Sequence, residues 1–251
     1  MLNASKDLGG HRALITGAGQ GIGRACAEVF AARGANLVLL DRNAETLADL
    51  AEKLRPLGPD VTTMVLDLTD LPLLQRTMEG IRSKGLIDIL VNNAGFDRPG
   101  TTAKIDAAGF ESVLRIHVTV QLSLIQSLLP GMRSARWGRI INLSSIYALI
   151  GAKGEIAYST AKSAVIGLSK SVAREAGRHG VTVNAVLPGL TRTPTIEHFM
   201  AERYKEEIIR DTPLGRMAEP AEIARVIAFL ASDEASYITA AAIPVSGGWG
   251  I

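Results

Sequence analysis

Tyr158 and Lys162 stand four residues apart in a stretch with helical periodicity, so both side chains are expected on one face of a helix. A phenol beside an ammonium group can give up or receive a proton, because the ammonium group stabilises the phenolate anion. Ser145 precedes them, just past an apolar run, and offers a hydroxyl group to the same site. The pair alone does not establish a function, because composition produces such a spacing by chance fairly often. Ser145 adds context, since it lies at the carboxyl end of a predicted strand, where substrates are expected to bind.

A glycine-rich stretch follows the first apolar run, with the sequence Thr16-Gly17-Ala18-Gly19-Gln20-Gly21-Ile22-Gly23. Glycine lets the backbone approach a pyrophosphate closely, and the open amide groups of a following helix attract its negative charge. The strict G-x-G-x-x-G spacing fails here, so we interpret Gly17, Gly21 and Gly23 as the working glycines. The stretch predicts a dinucleotide-binding loop, with a glycine-rich structural turn as the alternative.

Asp41, at the end of the second apolar run, bears on the choice of dinucleotide. A carboxylate there accepts hydrogen bonds from the adenosine ribose and repels the additional phosphate of NADP. The adjacent Arg42 offsets part of that repulsion. The pair favours NAD over NADP, and a solvated helix cap is the alternative role of Asp41.

The elements that must position these residues alternate between short apolar runs and amphipathic stretches, a pattern typical of repeated βαβ units. The predicted strands are 12–16, 36–40, 61–66, 87–92, 139–143, 181–187 and 242–245. The predicted helices are 22–33, 44–54, 71–83, 107–132, 157–179 and 220–231. We predict an α/β fold with a single doubly wound parallel seven-stranded sheet, a Rossmann fold with helices on both faces.

No linker, repeat or charge block divides the 251 residues, of which 47% are hydrophobic and 21% charged. This predicts one domain, 1–251, for dinucleotide binding and catalysis. The polar segment 190–217 follows a predicted strand end and contains Pro194 and Pro213. We expect it to be a substrate lid, with an ordinary surface loop as the alternative.

Charge and cysteine content argue against several classes of protein. The basic residues are scattered and the net charge is +2, so nucleic acid is not an expected partner. The single cysteine, Cys26, can form neither an intrachain disulfide nor a multi-thiolate zinc site, which indicates a reducing, cytoplasmic setting and no metal. Because we recognise no signal peptide and no apolar run of membrane-spanning length, we expect no membrane partner.

The chain closely resembles the short-chain dehydrogenase/reductase family, in the subgroup that includes 3-oxoacyl-carrier-protein reductases and many polyol dehydrogenases. The resemblance covers nearly the whole chain. The matching motifs are Thr16-Gly17-x-x-x-Gly21-Ile22-Gly23, Asp67 after the third strand, Asn92-Asn93-Ala94-Gly95, Ser145, Tyr158-x-x-x-Lys162 and Pro188-Gly189-x-x-x-Thr193.

The resemblance implies that Tyr158 is the general acid or base and that Ser145 hydrogen-bonds the substrate oxygen. Lys162 would hold the nicotinamide ribose and, with the positive nicotinamide ring, favour tyrosinate. The implied cofactor-binding residues are Gly17, Gln20, Gly21, Ile22, Gly23, Asp41, Arg42, Asp67, Leu68, Asn93, Gly95, Tyr158, Lys162, Pro188, Gly189, Thr191 and Thr193. Asn93 has a structural alternative, a tie between strand ends, and Pro188-Gly189 has another, a shaped turn.

His117 stands where the family usually has an asparagine that helps to hold a water chain. A neutral imidazole both donates and accepts, so His117 is predicted either to hold that water or to relay the proton itself. A satisfied buried polar residue is the alternative. The relay predicts a limb of the pH profile in the histidine range, and a His117→Ala variant with lowered turnover and little change in NAD affinity.

The predicted function is an NAD(H)-dependent oxidoreductase that interconverts a small secondary alcohol, such as a sugar or polyol, and its ketone. Four polar residues are placed near the pocket, and they indicate a hydroxylated or anionic substrate: Arg98, Tyr147, Arg192 and His198.

Two alternatives accompany this function. One is an NADPH-dependent 3-oxoacyl-carrier-protein reductase, in which Arg133, Arg136 and Arg139 would meet an acidic carrier. The other is a nucleotide-binding regulator without turnover. The resemblance also implies a homotetramer, and the apolar C-terminus through Trp249 and Ile251 is compatible with burial at a subunit contact.

Overall fold

Seven parallel strands form one sheet, in the order β3-β2-β1-β4-β5-β6-β7, in a computed structural model that describes residues 7–251 apart from the side chain of Phe199. The strands are β1 Arg12–Thr16, β2 Asn36–Asp41, β3 Val61–Val65, β4 Ile89–Asn92, β5 Gly138–Leu143, β6 Val181–Pro188 and β7 Ala242–Val245. The predicted sheet is confirmed. Because the strand order reverses between β1 and β4, a crevice opens at their carboxyl ends.

The connecting segments are helical, and all six predicted helices form. In the described residues the α-helices are α1 Gly21–Ala32, α2 Ala44–Leu54, α3 Leu71–Ser83, α4 Ala107–Leu114, α5 Val120–Ala135, α6 Tyr147–Ile150, α7 Ile156–Ala176, α8 Pro194–Phe199, α9 Glu202–Asp211 and α10 Pro220–Leu230. The last turn predicted for α7 is instead the 3₁₀ turn Gly177–His179.

Alternate side chains of the sheet enter two separate apolar layers. Ile15 of β1 packs with Phe30 of α1 and with the buried residues of α2 and α10. Leu14 points to the opposite face, where Leu74 of α3 and Leu128 of α5 belong to the second layer with residues of α7. Truncating one such fully buried side chain to alanine removes about 2–5 kcal/mol of stability. The two layers therefore hold the sheet, and with it the carboxyl ends of the strands, in a fixed position.

The long helix predicted over 107–132 changes its winding in the middle. A π-helical turn, Arg115–Thr119, joins α4 to α5, and Ile116 and His117 are buried within it. Such wide turns are frequent at functional sites. The combined helix, Ala107–Ala135, is long and apolar enough to span a membrane by length and composition, and here it packs against α3 and α7.

Segment 190–217 contains two helices, α8 and α9, that the sequence analysis did not predict. Thr193 caps α8 through its hydroxyl, which accepts a hydrogen bond from the Ile196 amide. Seven of the ten residues of α9 are charged, so the sequence analysis interpreted this stretch as part of a polar loop and did not use its few apolar residues. The two ends of the segment meet in a β-bridge between Thr191 and Ala218, which gives it a narrow neck.

Candidate active site

The glycine-rich loop between β1 and α1 turns sharply at two glycines. Gly17 has a φ of +64° and Gly21 a φ of +56°, a left-handed backbone that L side chains rarely adopt. A Cβ atom at Gly23 would lie 2.1 Å from the carbonyl oxygen of Gly17, so Gly23 lets α1 pack against the loop. No side chain in the described part of the chain caps the start of α1, which leaves its first amide groups to face an anion.

Asp41, the last residue of β2, is held rigidly by the loops around it. Its Oδ2 atom accepts a hydrogen bond from the Gly19 amide at 2.9 Å, and its Oδ1 atom accepts one from the Asn43 amide at 3.0 Å. Each oxygen of a carboxylate has two acceptor positions, so both keep a lone pair for a ribose hydroxyl. This geometry fits the role predicted for Asp41 and rules out a purely solvated side chain.

A cleft of about 250 Å³ lies along this sheet edge and collects most of the predicted cofactor residues. Those that line it are Gly17, Gln20, Gly21, Ile22, Asp41, Arg42, Asp67, Leu68, Asn93, Gly95 and Thr193. Hydrogen bonds from the Thr69 amide and hydroxyl, and the nearby Arg42, lower the pKa of Asp67. The two left-handed glycines, the uncapped helix and the carboxylate of Asp41 together fit a nicotinamide dinucleotide.

Sequence reasoning missed several walls of this cleft. They are Leu66, Ala94, Phe96, Ile116, Pro194 and Thr195. Ala94 lies in the Asn-Asn-Ala-Gly motif but was given no binding role, and the other five lie outside the matching motifs. Ile116 reaches the cleft from the π turn, which the sequence analysis did not predict.

Asn93 ties neighbouring strand ends together, as its structural alternative proposed. Its side-chain amide donates hydrogen bonds to the carbonyl oxygens of Thr16 at 2.9 Å and Gly17 at 3.1 Å. The Thr16 hydroxyl in turn accepts from the backbone amides of Asn93 and Ala94, both at 3.0 Å. Asn93 also lines the cleft, so its binding and structural roles coexist.

A second cavity, of about 290 Å³, opens from the nucleotide cleft and contains the predicted catalytic residues. The two spaces share Ile22, Asn93, Gly95, Phe96, Thr193 and Thr195. The predicted residues on its walls are Ser145, Tyr158, Lys162, His117, Pro188, Gly189, Thr191 and Tyr147. A small molecule in this cavity therefore sits next to whatever occupies the cleft.

Ser145 and Lys162 reach the cavity from different elements. Ser145 follows β5, and its Oγ atom accepts a hydrogen bond from the Tyr147 amide at 3.2 Å. Its hydroxyl group also hydrogen-bonds the phenol of Tyr158, which brings the two hydroxyl groups together. Lys162 lies on α7, one turn after Tyr158, as the spacing predicted. It is only 3% exposed, and burial lowers the pKa of its ammonium group to about 7.

Burial and neighbouring side chains act on the pKa of Tyr158. Burial raises the pKa of the phenol; the hydrogen bond with Ser145 lowers it, and Asp97 and Glu155 raise it further. The Lys162 Nζ atom lies 5.4 Å from the centre of the ring. In the chain itself burial favours the protonated phenol, and a tyrosinate stabilised by Lys162 and a bound nicotinamide ring stays a prediction.

His117 is neutral and points its two nitrogens in different directions. Its Nε2 atom lies 2.9 Å from the carbonyl oxygen of Phe96, which can only accept, so Nε2 carries the proton. Its Nδ1 atom has no hydrogen-bond partner among the described residues. Burial and Lys162 hold its pKa well below the usual value, so the predicted limb in the histidine range is not expected from this imidazole.

This geometry favours one of the two active roles considered for His117. A relay through Nε2 would have to pass its proton to a backbone carbonyl, which is not a base at neutral pH. An unprotonated Nδ1 can instead accept a hydrogen bond from a water molecule or a ligand. Gly95 makes room for the ring, because a Cβ atom there would lie 2.0 Å from its Cε1 atom.

Two acidic residues, Asp97 and Glu155, also line the catalytic cavity, and sequence reasoning missed both. Burial raises the pKa of Glu155 to about 9, and its contact with Asp97 raises it too. The only sequence signal was position, since Asp97 follows the Asn-Asn-Ala-Gly motif and Glu155 precedes Tyr158.

Known proteins match this chain over nearly its whole length. A family model described as Enoyl-(Acyl carrier protein) reductase matches residues 17–250. The 3-oxoacyl-[acyl-carrier-protein] reductase FabG of Thermotoga maritima is 37% identical over 242 residues, covering 96% of this chain and 98% of the relative. The oxidoreductase UcpA of Salmonella typhimurium is 38% identical over 250 residues, 96% of this chain and 95% of the relative. The chain belongs to the short-chain dehydrogenase/reductase family.

Solved structures of short-chain dehydrogenases/reductases superpose closely on this chain. A 3-oxoacyl-[acyl-carrier protein] reductase from Brucella melitensis gives a TM-score of 0.93 at 32% identity, covering 100% of this chain and 95% of that one. A Brucella melitensis reductase of the same description holds NAD, with a TM-score of 0.91, 31% identity and the same coverage, 100% and 95%. A protein described as an NAD(P)-dependent gluconate 5-dehydrogenase from Beutenbergia cavernae holds NADP, with a TM-score of 0.92, 32% identity and coverage of 97% and 98%.

The chain is therefore an oxidoreductase of the short-chain dehydrogenase/reductase family that acts on CH–OH groups. Three residues expected near its pocket do not line the cavity. Arg98 and His198 are exposed, and Arg192 forms ion pairs with two glutamates at 3.1 and 3.0 Å. Because charged side chains on surface loops keep their hydration at little cost, their polarity was a poor guide to the pocket.

The two C-terminal residues considered for a subunit contact lie in different surroundings. Trp249 lines the catalytic cavity of its own chain, with its ring 5.5 Å from that of Tyr147. Ile251 is exposed in the single chain. Trp249 is thus packed within its own subunit, and a subunit contact at the C-terminus stays a prediction.

The three arginines considered for carrier docking lie near the amino end of β5, at the opposite sheet edge from Ser145. Arg139 is buried, and its guanidinium group pairs with Asp233 at 3.0 Å. Arg136 donates a hydrogen bond to a backbone carbonyl at 3.1 Å, and Arg133 lies 3.7 Å from a glutamate. These three arginines make contacts near the amino ends of the strands and do not line the catalytic cavity.

Proposed function

We propose that this enzyme reduces a ketone to a secondary alcohol, and catalyses the reverse oxidation, with Tyr158 as the general acid and base. The observation that carries the proposal is the shared wall between the two cavities. Ser145, Tyr158 and Lys162 surround a space that opens directly onto a cleft fitted for a dinucleotide.

The residues divide the chemistry among them. The hydroxyl groups of Ser145 and Tyr158 hydrogen-bond the carbonyl oxygen, which polarises the carbonyl carbon. A nicotinamide ring bound beside them supplies a hydride in reduction and accepts one in oxidation. Tyr158 gives its proton to the developing alkoxide, and the ammonium group of Lys162 stabilises the tyrosinate that forms.

The environment of Tyr158 fits its role as the proton donor in reduction. Its phenol is held protonated by burial and by two acidic neighbours, so the proton donor needed for ketone reduction is present before the substrate binds. Oxidation of an alcohol requires the opposite state, which must first be formed by proton loss to solvent. The water path supported by His117 Nδ1 would serve that proton transfer in both directions.

The comparisons alter the order of the substrate candidates. Relatives named 3-oxoacyl-[acyl-carrier-protein] reductase, at 36–37% identity, favour a 3-oxoacyl thioester over the sugar or polyol that the sequence analysis put first. We therefore propose a 3-oxoacyl thioester as the first candidate. A sugar acid or polyol is the second, because of the gluconate 5-dehydrogenase neighbour.

We propose NAD(H) as the preferred dinucleotide on the position of Asp41. The Brucella melitensis 3-oxoacyl-[acyl-carrier protein] reductase has bound NAD in its crystal structure, which supports the use of NAD(H) together with a 3-oxoacyl substrate. Arg42 also lines the cleft and offsets part of the repulsion between Asp41 and the additional phosphate of NADP(H). We therefore expect the enzyme to use both dinucleotides, NADP(H) less efficiently than NAD(H).

The test is a panel of substrates followed by the absorbance of reduced nicotinamide. It contains acetoacetyl thioesters for reduction, and gluconate, sorbitol and simple secondary alcohols for oxidation, each with both dinucleotides. We expect acetoacetyl thioester reduction with NADH to give the highest kcat/KM, and Tyr158→Phe to lose turnover while it still binds NADH. Tight NADH binding with no turnover of any compound would support a nucleotide-binding regulator instead.

We propose that segment 190–217 acts as the substrate lid. It supplies Thr195, Ile196, Met200 and Ile208 to the cavity wall, and its neck is the bridge between Thr191 and Ala218. We expect limited proteolysis within this segment to slow when dinucleotide and substrate are both bound. A cleavage rate unaffected by both ligands would contradict a closing motion.

We also propose a cytoplasmic homotetramer acting on a small molecule, without nucleic acid or membrane partners. This assembly is supported by the family resemblance alone. Sedimentation equilibrium of the purified protein distinguishes a tetramer from a dimer or monomer.

A further inference from the structure

Asp97 and Glu155 place two carboxyl groups together in the catalytic cavity. Their loops are joined by the backbone, where the Gly100 amide donates a hydrogen bond to the carbonyl oxygen of Gly154 at 2.7 Å. Gly100 and Glu155 also form a β-bridge. The Asp97 carboxylate accepts a hydrogen bond from the Arg98 amide at 2.6 Å, which fixes its position further.

The rest of the cavity contains little positive charge to balance this pair. Among the described residues that line it, Lys162 is the only lysine or arginine. Its ammonium group already donates a hydrogen bond to the carbonyl oxygen of Leu143 at 2.6 Å. His117 is 2% exposed and neutral, and its unpartnered Nδ1 atom adds another acceptor.

The negative charge of this pair acts on the reacting groups. Two carboxyl groups in contact resist ionising together, so they share one charge over a wide pH range. Asp97 raises the pKa values of Tyr147, Tyr158 and Lys162, so its negative charge acts on three side chains that line the substrate space. A substrate carboxylate would bring a second negative charge into the cavity. Its oxygen atoms can only accept hydrogen bonds, so they would face the acceptor atoms of Asp97 and His117 without a donor between them.

We propose that the Asp97–Glu155 pair selects substrates by charge, admitting ketones that are neutral near the reacting carbonyl and excluding those that carry a carboxylate there. The inference rests on the proposed ketone reduction and specifies its substrate class. The sequence analysis expected a hydroxylated or anionic substrate from Arg98, Tyr147, Arg192 and His198. This proposal excludes an anionic group next to the reacting carbonyl. A 3-oxoacyl thioester passes this selection, whereas the corresponding free 3-oxo acid does not.

The test compares ethyl acetoacetate with acetoacetate, which share the 3-oxo group and differ in one charge. For the wild-type enzyme with NADH we expect kcat/KM to favour the ester by at least about tenfold, as repulsion between unit charges across a cavity implies. In Asp97→Asn and in the double variant with Glu155→Gln this ester-to-acid ratio is expected to fall by about tenfold, because burial keeps Glu155 protonated and the charge of the pair is lost with Asp97. Glu155→Gln alone replaces a protonated carboxyl group by a neutral amide and should keep most of the wild-type ratio. Glu52→Gln, an exposed residue of α2, is the matched control and should keep the wild-type ratio.

A second measurement does not depend on turnover. Calorimetry of the non-reacting complexes with oxidised dinucleotide gives the affinities for the ester and the acid in each variant. If neither compound is reduced but the affinity ratio shifts in the acid-pair variants, the proposed function fails and the charge selection stands. If the ratio by both readouts is the same in wild-type, single and double variants, the charge selection is overturned. Thermal melting identifies a variant that does not fold, and whichever of Asp97→Asn and the double variant folds then decides.

Discussion

The Nζ atom of Lys162 donates a hydrogen bond to the backbone carbonyl of Leu143, the last residue of β5, at 2.6 Å. The ammonium group on α7 is thereby tied to the carboxyl edge of the sheet, where Ser145 begins the next segment. The reverse tie exists as well, since the Ser144 hydroxyl donates to the carbonyl oxygen of Lys162 at 2.7 Å. The distance from the catalytic phenol to the sheet edge is set by these two bonds.

Replacing Lys162 by methionine removes the charge that stabilises the tyrosinate formed during reduction. Burial lowers the pKa of this ammonium group to about 7, so the charge is present below that pH and is lost above it. We expect wild-type kcat for reduction to fall as the pH rises through about 7, and Lys162→Met to have kcat at least about tenfold lower without this limb. Steady-state kinetics from pH 6 to pH 9 measures both. A pH limb that survives in the variant would assign it to another group.

Replacing His117 separates the role of an acceptor from that of a proton relay. His117→Asn keeps an acceptor oxygen and is expected to hold kcat within about threefold of wild type, because one hydrogen bond is retained. His117→Ala loses the acceptor and should lower kcat by about tenfold. NADH affinity, measured by fluorescence titration, should be unchanged in both. Equal losses in the asparagine and alanine variants would point to a function specific to imidazole.

Replacing Asp41 by serine tests its predicted discrimination between dinucleotides. The variant loses the charge that opposes an additional phosphate and keeps Arg42 beside it. We expect kcat/KM for NADPH relative to NADH to rise by at least about tenfold, mainly through KM. Asp67→Asn removes the neighbouring carboxylate of the cleft and is the control, with a smaller change in that ratio. A ratio unaffected by Asp41→Ser would mean that Arg42 or the loop backbone sets the preference.

Replacing Glu155 by glutamine changes how stability depends on pH. The pKa of Glu155 is raised from its usual 4.5 to about 9 in the folded chain, where it retains a proton that the unfolded chain releases. The stability contributed by this protonated group is complete below pH 4.5 and is lost progressively as the pH rises towards 9. Glutamine does not titrate, so the melting temperature of Glu155→Gln minus that of wild type should increase from pH 5 to pH 9.

The control for this measurement is Glu52→Gln on α2, which should show a difference in melting temperature that does not change with pH. A Glu155→Gln difference that is constant or decreases with rising pH would show that the buried carboxyl group is not protonated in the folded chain.

Local patterns were sufficient for much of the sheet and for the reacting residues. All strand ends lie within two residues of their predicted positions. Most of these strands are buried on both faces, and such a strand forms a continuous apolar run in the sequence. Tyr158 and Lys162 were noticed from their helical spacing and given roles by the family resemblance, and Gly17 and Gly21 were noticed in a glycine-rich stretch after the first strand. These features depend on neighbours in the chain, so the sequence by itself determined the fold class and was sufficient to predict the dinucleotide loop and the proton-transfer residues.

Tertiary structure alone decided which other groups share the cavity and with what charge. Asp97 meets Glu155 because two loops pair through Gly100. Trp249 enters the cavity from the turn after β7, far in the chain from Tyr147, which it contacts. Arg139 lies at the opposite edge, although its position in the sequence is close to Ser145. The electrostatic state of Tyr158 and Lys162 depends on burial and on residues distant in the chain, and neither quantity is encoded in local spacing.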